Sequence, residues 1–471
     1  MNQAVSNDPR DIISKSPMSV MQIIVVALTV GLNALDGYDV LSIAFASPGL
    51  VAEWGIERAA LGFVLSAELV GMAVGSILLG RVADMVGRRP LMLGCLVVMA
   101  SGMFLATVAT GIYDLMAYRV FTGLGIGGML AAINAVAAEF SNGKRRHMSV
   151  SIMAIGYPVG AAVGGTFANL MGFSEENWRI VFYLGAAVTA LFIPLVYFLI
   201  PESVHWLARK QPANALARIN ETLNRMGHRS VSALPEIQAE PPRKAGLVEA
   251  FVRAIGPIFA KGLLPTTVII SFAYFFHITS FYYMVKWIPE LVSGMGFTGT
   301  GPGWVLVAAN VGGAVGGAIF GFATLRYGVK ALTITVLLLS SVGVTIFGRA
   351  PEDFFWLCAI SAGANFCLNS GIVGLYAIMA HAYPTHARAQ GTGFAIGVGR
   401  GGSVLAPIIA GFLFAADMDL PSVSMIMGAG SLIAAFVLVF LRLKTADPEA
   451  LESETSEPAA RGMIRPAAAS T

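Results

Sequence analysis

Twelve stretches of mostly apolar residues, each near the 20 that an α-helix needs to cross a bilayer, recur along this 471-residue chain. They fall at roughly 20–49, 59–79, 90–109, 114–138, 148–171 and 179–200, and again at about 264–293, 303–323, 330–348, 354–382, 390–415 and 422–442. Only 12% of residues are charged and 56% are hydrophobic. A soluble domain carries about 25% charged residues on its skin, so the apolar surface here must face lipid. The sequence predicts an all-α polytopic membrane protein with twelve transmembrane helices in two pseudo-symmetric six-helix halves.

The polar segment 201–262, punctuated by Pro212, Pro235, Pro241 and Pro242, separates the two sets and reads as a linker with an amphipathic helix near 213–225. The expected organisation is an N-terminal tail (1–19), a first half (20–200), the linker (201–262), a second half (263–443) and a C-terminal tail (444–471). The first residues mix charges (Asp8, Arg10, Asp11, Lys15) and lead into an apolar run without a small-residue cleavage site. That is not a removable signal peptide. Cys95, Cys358 and Cys367 lie in apolar runs and offer neither a disulfide framework nor metal-ligand spacing. They read as small helix-interior hydrophobes. No cofactor is expected, and a net charge of +3 is too small to suggest a nucleic-acid partner.

Lys and Arg supply a sidedness. With the N-terminus inside, the inner segments hold Arg10 and Lys15, then Arg81, Arg88 and Arg89, then Lys144, Arg145 and Arg146. Nine more lie in the linker, followed by Arg326, Lys330, Arg388 and four after residue 441. The outer loops hold only Arg58, Arg179 and Arg349, beside acids such as Glu53, Asp114, Glu175, Asp353 and Asp417. Twenty-four against three places both termini in the cytoplasm of a bacterial cell, with the spans in its inner membrane. A monomer is expected. The halves also echo each other: Gly80-Arg-Val-Ala-Asp84-Met-Val-Gly87-Arg88-Arg89 follows the second span, and Gly321-Phe-Ala-Thr-Leu325-Arg-Tyr-Gly328-Val-Lys330 follows the eighth. Duplicated units are how such carriers are built.

Gly80-x-x-Ala83-Asp84-x-x-Gly87-Arg88-Arg89 resembles the signature of the major facilitator superfamily between its second and third helices, with Met85 where the family often has Arg. Leu325 replaces the acid in the second copy. Pro201-Glu202-Ser203-x-x-Trp206-Leu207 is similar to the segment after helix 6 in the sugar-porter and organic-anion branches. Within the superfamily, Asp36-Gly37-Tyr38-Asp39 resembles the Asp-Gly-aromatic-Asp motif of the aromatic acid:proton symporters. Ser47-Pro48, Glu53-Trp54-Gly55, Trp287-Ile-Pro289 and Gly397-x-Gly399-Arg400-x-Gly402 support it. Lys286 stands before Trp287 where many of those symporters have a neutral polar residue. The resemblance implies a cavity lined by helices 1, 7 and 10. It also implies that Asp84 closes a latch in the outward-open state against a basic residue near helix 11, completed by Glu139 with Lys144-Arg145-Arg146. Alternatively, the basic residues of that motif only signal topology.

Ionisable residues inside a bilayer are costly enough to need a purpose. Asp36 and Asp39 on helix 1, Glu68 on helix 2, Arg119 on helix 4, Lys286 on helix 7 and Arg400 on helix 11 qualify, and His277 joins them. Asp36 and Asp39, spaced i, i+3, project from nearly one face. Two close acids in a low-dielectric cavity repel when both are ionised, which favours holding a proton. Proton coupling is one reading, and a helix-pairing ion pair is the other. Glu68 reads equally as a pair partner or a second titrating site. Arg119 and Arg400 suit a carboxylate ligand, although Arg119 suits an acid of helix 1 or 2 equally well. Lys286, placed nearer the outer face, either snorkels or contacts an anion. His277 reads first as a neutral hydrogen-bonding residue and second as a proton relay. Tyr38, Tyr274, Phe275, Tyr282, Tyr283 and Tyr376 suit an aromatic ring or simple packing. Asn365 and Asn369, one turn apart, add polar contacts. Gly123, Gly127 and Ala131, Gly156, Gly160 and Gly164, Gly312 and Gly316, and Gly393, Gly397 and Gly401 form small-residue stripes at which helices approach closely. Pro158, Pro289 and Pro407 are expected to kink their helices.

Two function classes follow. The first is a proton-coupled uptake carrier for a small organic anion, with an aromatic carboxylate as cargo. Its variants carry a dicarboxylate, a muconate-like ring-cleavage product or a sugar acid, or export a drug by antiport. The second is a membrane enzyme or sensor, but the sequence offers no nucleophile–base set, metal cluster or phosphate-binding loop.

Overall fold

The computed structural model describes residues 8–442 apart from 173, 237–255, 261, 325, 385 and 386. A short α1 (Pro9–Lys15) precedes six long helices: α2 (Val20–Trp54), α3 (Arg58–Val86), α4 (Arg88–Thr107), α5 (Ile112–Glu139), α6 (Arg146–Leu170) and α7 (Ile180–Leu199). Two linker helices follow, α8 (Val204–Lys210) and α9 (Ala215–Arg225). The second long set is α10 (Leu264–Gly294), α11 (Gly301–Ala323), α12 (Val329–Phe347), α13 (Phe354–Ala382), α14 (Arg388–Ala415) and α15 (Leu420–Val439). Twelve of these are long and apolar enough to cross a membrane, so the protein is a multi-pass membrane protein.

Local chemistry marks the helix ends. Ser19 and Gln22 form a capping box that starts α2, and Gly55 in the left-handed region ends it. Asp353 accepts from the Trp356 amide to start α13. Gly87 turns α3 into α4 at φ +109°, a region that favours glycine, and a side chain there would collide with the Glu202 carboxylate. Pro158, Pro289 and Pro407 all sit inside unbroken helices, each at the cost of one backbone hydrogen bond.

Packing repeats between the halves. α3 packs on α5 as α11 does on α13, and α2 on α6 as α10 does on α14. Likewise α4 packs on α7 as α12 does on α15. The expected glycine stripes explain these seams in helices α5, α6 and α11. Gly123 and Gly127 lie on the α3 backbone, Gly156 and Gly160 on α2, and Gly312 and Gly316 on α13, leaving no room for a Cβ. Gly160→Leu, which forces a side chain into the Ala34 carbonyl, is expected to cost about 1–3 kcal/mol or more of stability. The melting temperature in detergent checks this. The fourth stripe departs from expectation. Gly393 and Gly397 border open space, and the close approaches of α14 to α10 fall instead at Gly399, against the Tyr274 ring, and Gly402, against the Phe275 carbonyl.

The halves meet through α14 on α3, α11 on α6 and α10 on α2. These contacts concentrate at the end remote from the linker. Ser66 Oγ donates to Val404 O at 2.7 Å, Gly62 lies against the Pro407 carbonyl and Gly411 against that of Arg58, and Gly303 abuts Asn169. At the basic end, where the linker helices and the α3–α4 turn lie, Gly80, Gly393 and Gly397 have open space around them. Among the described residues, the close contacts named between the halves thus lie at the far end.

The N-terminal region expected as a tail contains α1, whose Ile12 and Ile13 are buried, while Gly143 N donates to Ser14 O at 2.9 Å. The linker's amphipathic helix is found at Ala215–Arg225, and Val204–Lys210 adds a helix beyond expectation. Leu325 of the second motif copy and the C-terminal segment from 443 lie outside the described residues.

Candidate functional site

Five ionisable side chains from both halves converge in the middle of the bundle with no solvent exposure: Asp36, Asp39, Glu68, Arg119 and Lys286. Asp36 and Asp39 are carried by α2, with the Asp39 carboxyl toward Gly185 of α7, and the seam of α3 with α5 brings Glu68 to Arg119. Arg119 Nη2 lies 2.5 Å from Glu68 Oε1 and donates to Asp39 O at 2.6 Å. Its Nη1 reaches Met103 Sδ at 2.9 Å, and the guanidinium stands 5.3 Å from the Phe182 ring centre. Of the two roles open to Arg119, the structure therefore shows pairing with the acid of the second span. Lys286 does not snorkel. Its Nζ donates to Val40 O across the halves and lies 3.9 Å from Glu68 Oε2. An apolar-window reading fixes depth only coarsely and says nothing of which way a side chain turns.

The carboxyl oxygens of Asp36 and Asp39 accept no hydrogen bond among the described residues. Holding a buried unpartnered carboxylate in its ionised form costs several kcal/mol. Asp36 feels Asp39, Glu68 and Arg400 as charged neighbours, whereas Asp39 feels Glu68 and Arg119.

Arg400, half-buried on α14, makes no ion pair among the described residues. Gly397, one turn earlier, opens the space beside it. Near it stand Tyr274 and Tyr282, with Tyr376 beside both. Tyr274 and Tyr376 share a hydroxyl contact at 3.0 Å, with ring centres 5.7 Å apart. Tyr157 of α6 meets Tyr282 of α10 from the opposite half, near Asp36 and Glu68. Tyr157 was missed by sequence reasoning, although its place between Gly156 and Pro158 in a glycine seam signals a side chain aimed between helices.

Other candidates are committed to packing in this conformation. Tyr38 donates to Val181 O at 2.7 Å, with its ring against Gly164. His277 is clamped between Leu368 O at 2.8 Å and Ser431 Oγ at 2.9 Å. Nε2 donates to that carbonyl, and Nδ1 shares a hydrogen bond with the hydroxyl, so both ring nitrogens are occupied within the second half. Asn365 and Asn369 donate to Ala309 O at 2.8 Å and Gly313 O at 2.6 Å, tying α13 to α11. Tyr283 bonds Ser424 Oγ at 2.8 Å.

At the basic end, Asp84 accepts from Arg88 at 2.8 Å and from Arg209 of α8 at 2.7 Å, while Trp206 donates to the Asp84 carbonyl at 3.1 Å. Among the described residues, no basic group of α14 pairs with Asp84. Arg88 also reaches Glu139 at 3.4 Å, and Ser203 donates to Glu139. Those two, rather than Lys144-Arg145-Arg146, are the hydrogen-bond partners of Glu139 among the described residues. Glu202 collects the amides of Arg88 at 2.9 Å and Arg89 at 3.4 Å. Arg89 donates to the Tyr197 carbonyl and stands 4.9 Å from its ring centre. Burial pushes the nearby His205 imidazole below the ordinary histidine value, against the opposing pull of Glu139.

Removing one partner of a buried ion pair strands the other. Arg119→Met is therefore expected to cost about 3–5 kcal/mol, and Glu68→Gln in the same chain to recover part of it. Thermal unfolding of the purified variants checks both.

The sequence profile described as Major Facilitator Superfamily matches residues 27–301 and again 270–466. The gallate transporter of Pseudomonas putida is 26% identical over 437 residues, covering 92% of this chain and 94% of its own. The 4-hydroxybenzoate transporter PcaK of Acinetobacter baylyi is 25% identical over 443 residues, covering 92% of this chain and 95% of its own. The benzoate transport protein of the same organism is 26% identical and covers 84% of each chain. Among solved structures, the inward open conformation of the xylose transporter XylE from E. coli is similar with a TM-score of 0.68 at 17% identity, covering 92% of this chain and 99% of that one. A D-xylose–proton symporter follows with a TM-score of 0.67 at 18% identity, covering 90% and 98%.

Proposed function

The chain belongs to the major facilitator superfamily, and we propose that it imports a small aromatic carboxylate together with a proton by alternating access. The observation that carries this reading is a charge balance. Away from their ends, the spans place three acids, Asp36, Asp39 and Glu68, against three bases, Arg119, Lys286 and Arg400. With all six ionised the set is neutral. Each proton taken up leaves one net positive charge in a low-dielectric site, which one monocarboxylate neutralises. Anion and proton therefore stabilise each other's binding, as symport requires.

Asp36 is the proton site, since its carboxyl lacks a hydrogen-bonding partner and Arg400 is among its charged neighbours. Arg400 takes the substrate carboxylate, and Tyr274, Tyr282 and Tyr376 receive the ring. Three relatives named for gallate, 4-hydroxybenzoate and benzoate support an aromatic acid as cargo. With the basic end in the cytoplasm of a bacterial inner membrane, as the Lys/Arg bias implies, closure of the halves at the far end supports an inward-facing conformation. In the outward-facing state Asp84 leaves Arg209 for a basic group on α14, closing the basic end.

Lys286 bears on the choice of cargo. It is committed to Val40 and Glu68, which leaves Arg400 as the cation for the cargo, and one cation suits one carboxylate. In proteoliposomes, muconate-type dicarboxylates are expected to compete with labelled 4-hydroxybenzoate at least about tenfold more weakly than benzoate does, a difference of about 1.4 kcal/mol. Equal competition overturns the monocarboxylate assignment in favour of a dicarboxylate carrier.

A further inference from the structure

Lys286 is the fully buried base that the second half sends into the first. Its Nζ donates to Val40 O on α2 and faces Glu68 Oε2 on α3 at 3.9 Å, and both partners belong to the first half. The backbone beside it is held within its own half. Trp287 Nε1 donates to Pro407 O at 3.3 Å, and the Trp287 ring lies 5.1 Å from that of Phe414 on α14. Lys286 therefore moves with α10 and α14 as one body. It reaches Val40 and Glu68 only while the far ends of the halves are together. The same seam is closed by Ser66 Oγ on Val404 O and by Gly62 and Gly411 on facing carbonyls, contacts too weak and small to discriminate between charge states.

We propose that the Lys286–Glu68 pair is the charge lock of the far-side gate, a coupling element that sets the balance between the two faces of the carrier. Parting the far end withdraws a buried ammonium from a carboxylate and a carbonyl at once. Glu68 is not stranded by this, because Arg119 stays on its other oxygen at 2.5 Å within the first half. Lys286 alone loses its partners, so the closed seam is favoured by the charge on that one side chain. The arrangement makes Lys286 a positioning residue, distinct from the base that meets substrate.

The inference rests on the alternating-access reading above, so its test measures conformation and needs no transport. Spin labels are attached through Glu57→Cys and Ala416→Cys, exposed at the far end of each half, in a full chain with Cys95, Cys358 and Cys367 replaced by alanine. Distances are read by pulsed electron resonance in lipid nanodiscs. The parent chain is expected to show mainly the short separation. Lys286→Met is expected to raise the ratio of long to short separations about tenfold, equivalent to about 1.4 kcal/mol, and Lys286→Arg to leave it near the parent. Glu68→Gln added to Lys286→Met should widen the distribution no further, since coupled partners are not additive. Should Lys286→Met fail to fold, Lys286→Gln serves in its place with the same expected shift. An unchanged distribution in the neutral variant, or an additive shift in the double variant, overturns the lock. A shift without transport of any anion leaves the lock standing and removes the cargo assignment instead.

Discussion

Asp36→Asn is expected to reduce the accumulation of the carried anion to an inside-to-outside ratio of about one under an inward gradient of one pH unit. The native chain should reach about tenfold, because one pH unit is worth about 1.36 kcal/mol per coupled proton. The side chain is fully buried, and its carboxyl oxygens find no hydrogen-bonding partner among the described residues. Asparagine preserves shape and mimics the protonated acid, so the site keeps its positive balance and still admits an anion. Exchange of internal for external substrate should therefore persist while gradient-driven uptake is lost. The two are separated by loading vesicles with unlabelled substrate and comparing counterflow with net uptake. Undiminished gradient-driven accumulation in the variant removes Asp36 from the coupling role. Asp39→Asn is the control, since the charged neighbours of Asp39 are Glu68 and Arg119 rather than Arg400.

Arg400→Ala is expected to weaken substrate binding by about 2–5 kcal/mol, roughly 30-fold or more in apparent affinity. A guanidinium recognises a carboxylate through two parallel hydrogen bonds, and no described acid occupies that of Arg400. Arg400→Lys keeps the charge and loses the fork, so it should recover only part of the affinity. Loss in Arg400→Ala with no loss of folded protein marks a binding residue, because Arg400 makes no ion pair whose rupture would unfold the chain. Binding of 4-hydroxybenzoate to the purified protein, measured calorimetrically, reads the effect. An unchanged affinity moves the carboxylate elsewhere.

The twelve spans and their division into halves were legible because a bilayer demands long apolar runs and a polar segment interrupts them at 201–262. The glycine stripes of α5, α6 and α11 were legible for a related reason: close helix packing in lipid selects small residues at every fourth position. Azimuth was not legible. Lys286 reads as an outer-face lysine from its depth, yet it turns inward because α10 packs on α2, which brings its Nζ to Val40 O. The stripe on α14 has the same spacing as the others but borders open space beside Arg400, since spacing does not say whether a face meets a helix or a cavity. Asn365, Asn369 and Tyr38 have the composition of ligand contacts, and each is used to join helices. At the basic end Asp84 was identified as a pairing residue, but Arg209 was not identified as its partner. That pairing depends on the seven-residue helix α8, too short and too mixed in character to stand out in a polar linker.

The charge balance is the central claim, and it fixes more than the presence of coupling. One proton with one monocarboxylate moves no net charge, so transport must be electroneutral. The direct measurement is uptake of labelled 4-hydroxybenzoate into proteoliposomes with pH gradient and membrane potential clamped independently. Accumulation is expected to follow the pH gradient, about tenfold per unit, and to stay the same when about 100 mV is imposed at fixed gradient. An additional proton per anion would add about 2.3 kcal/mol at that potential, close to a 50-fold change. A potential dependence of that size, or accumulation that persists without a pH gradient, contradicts the account.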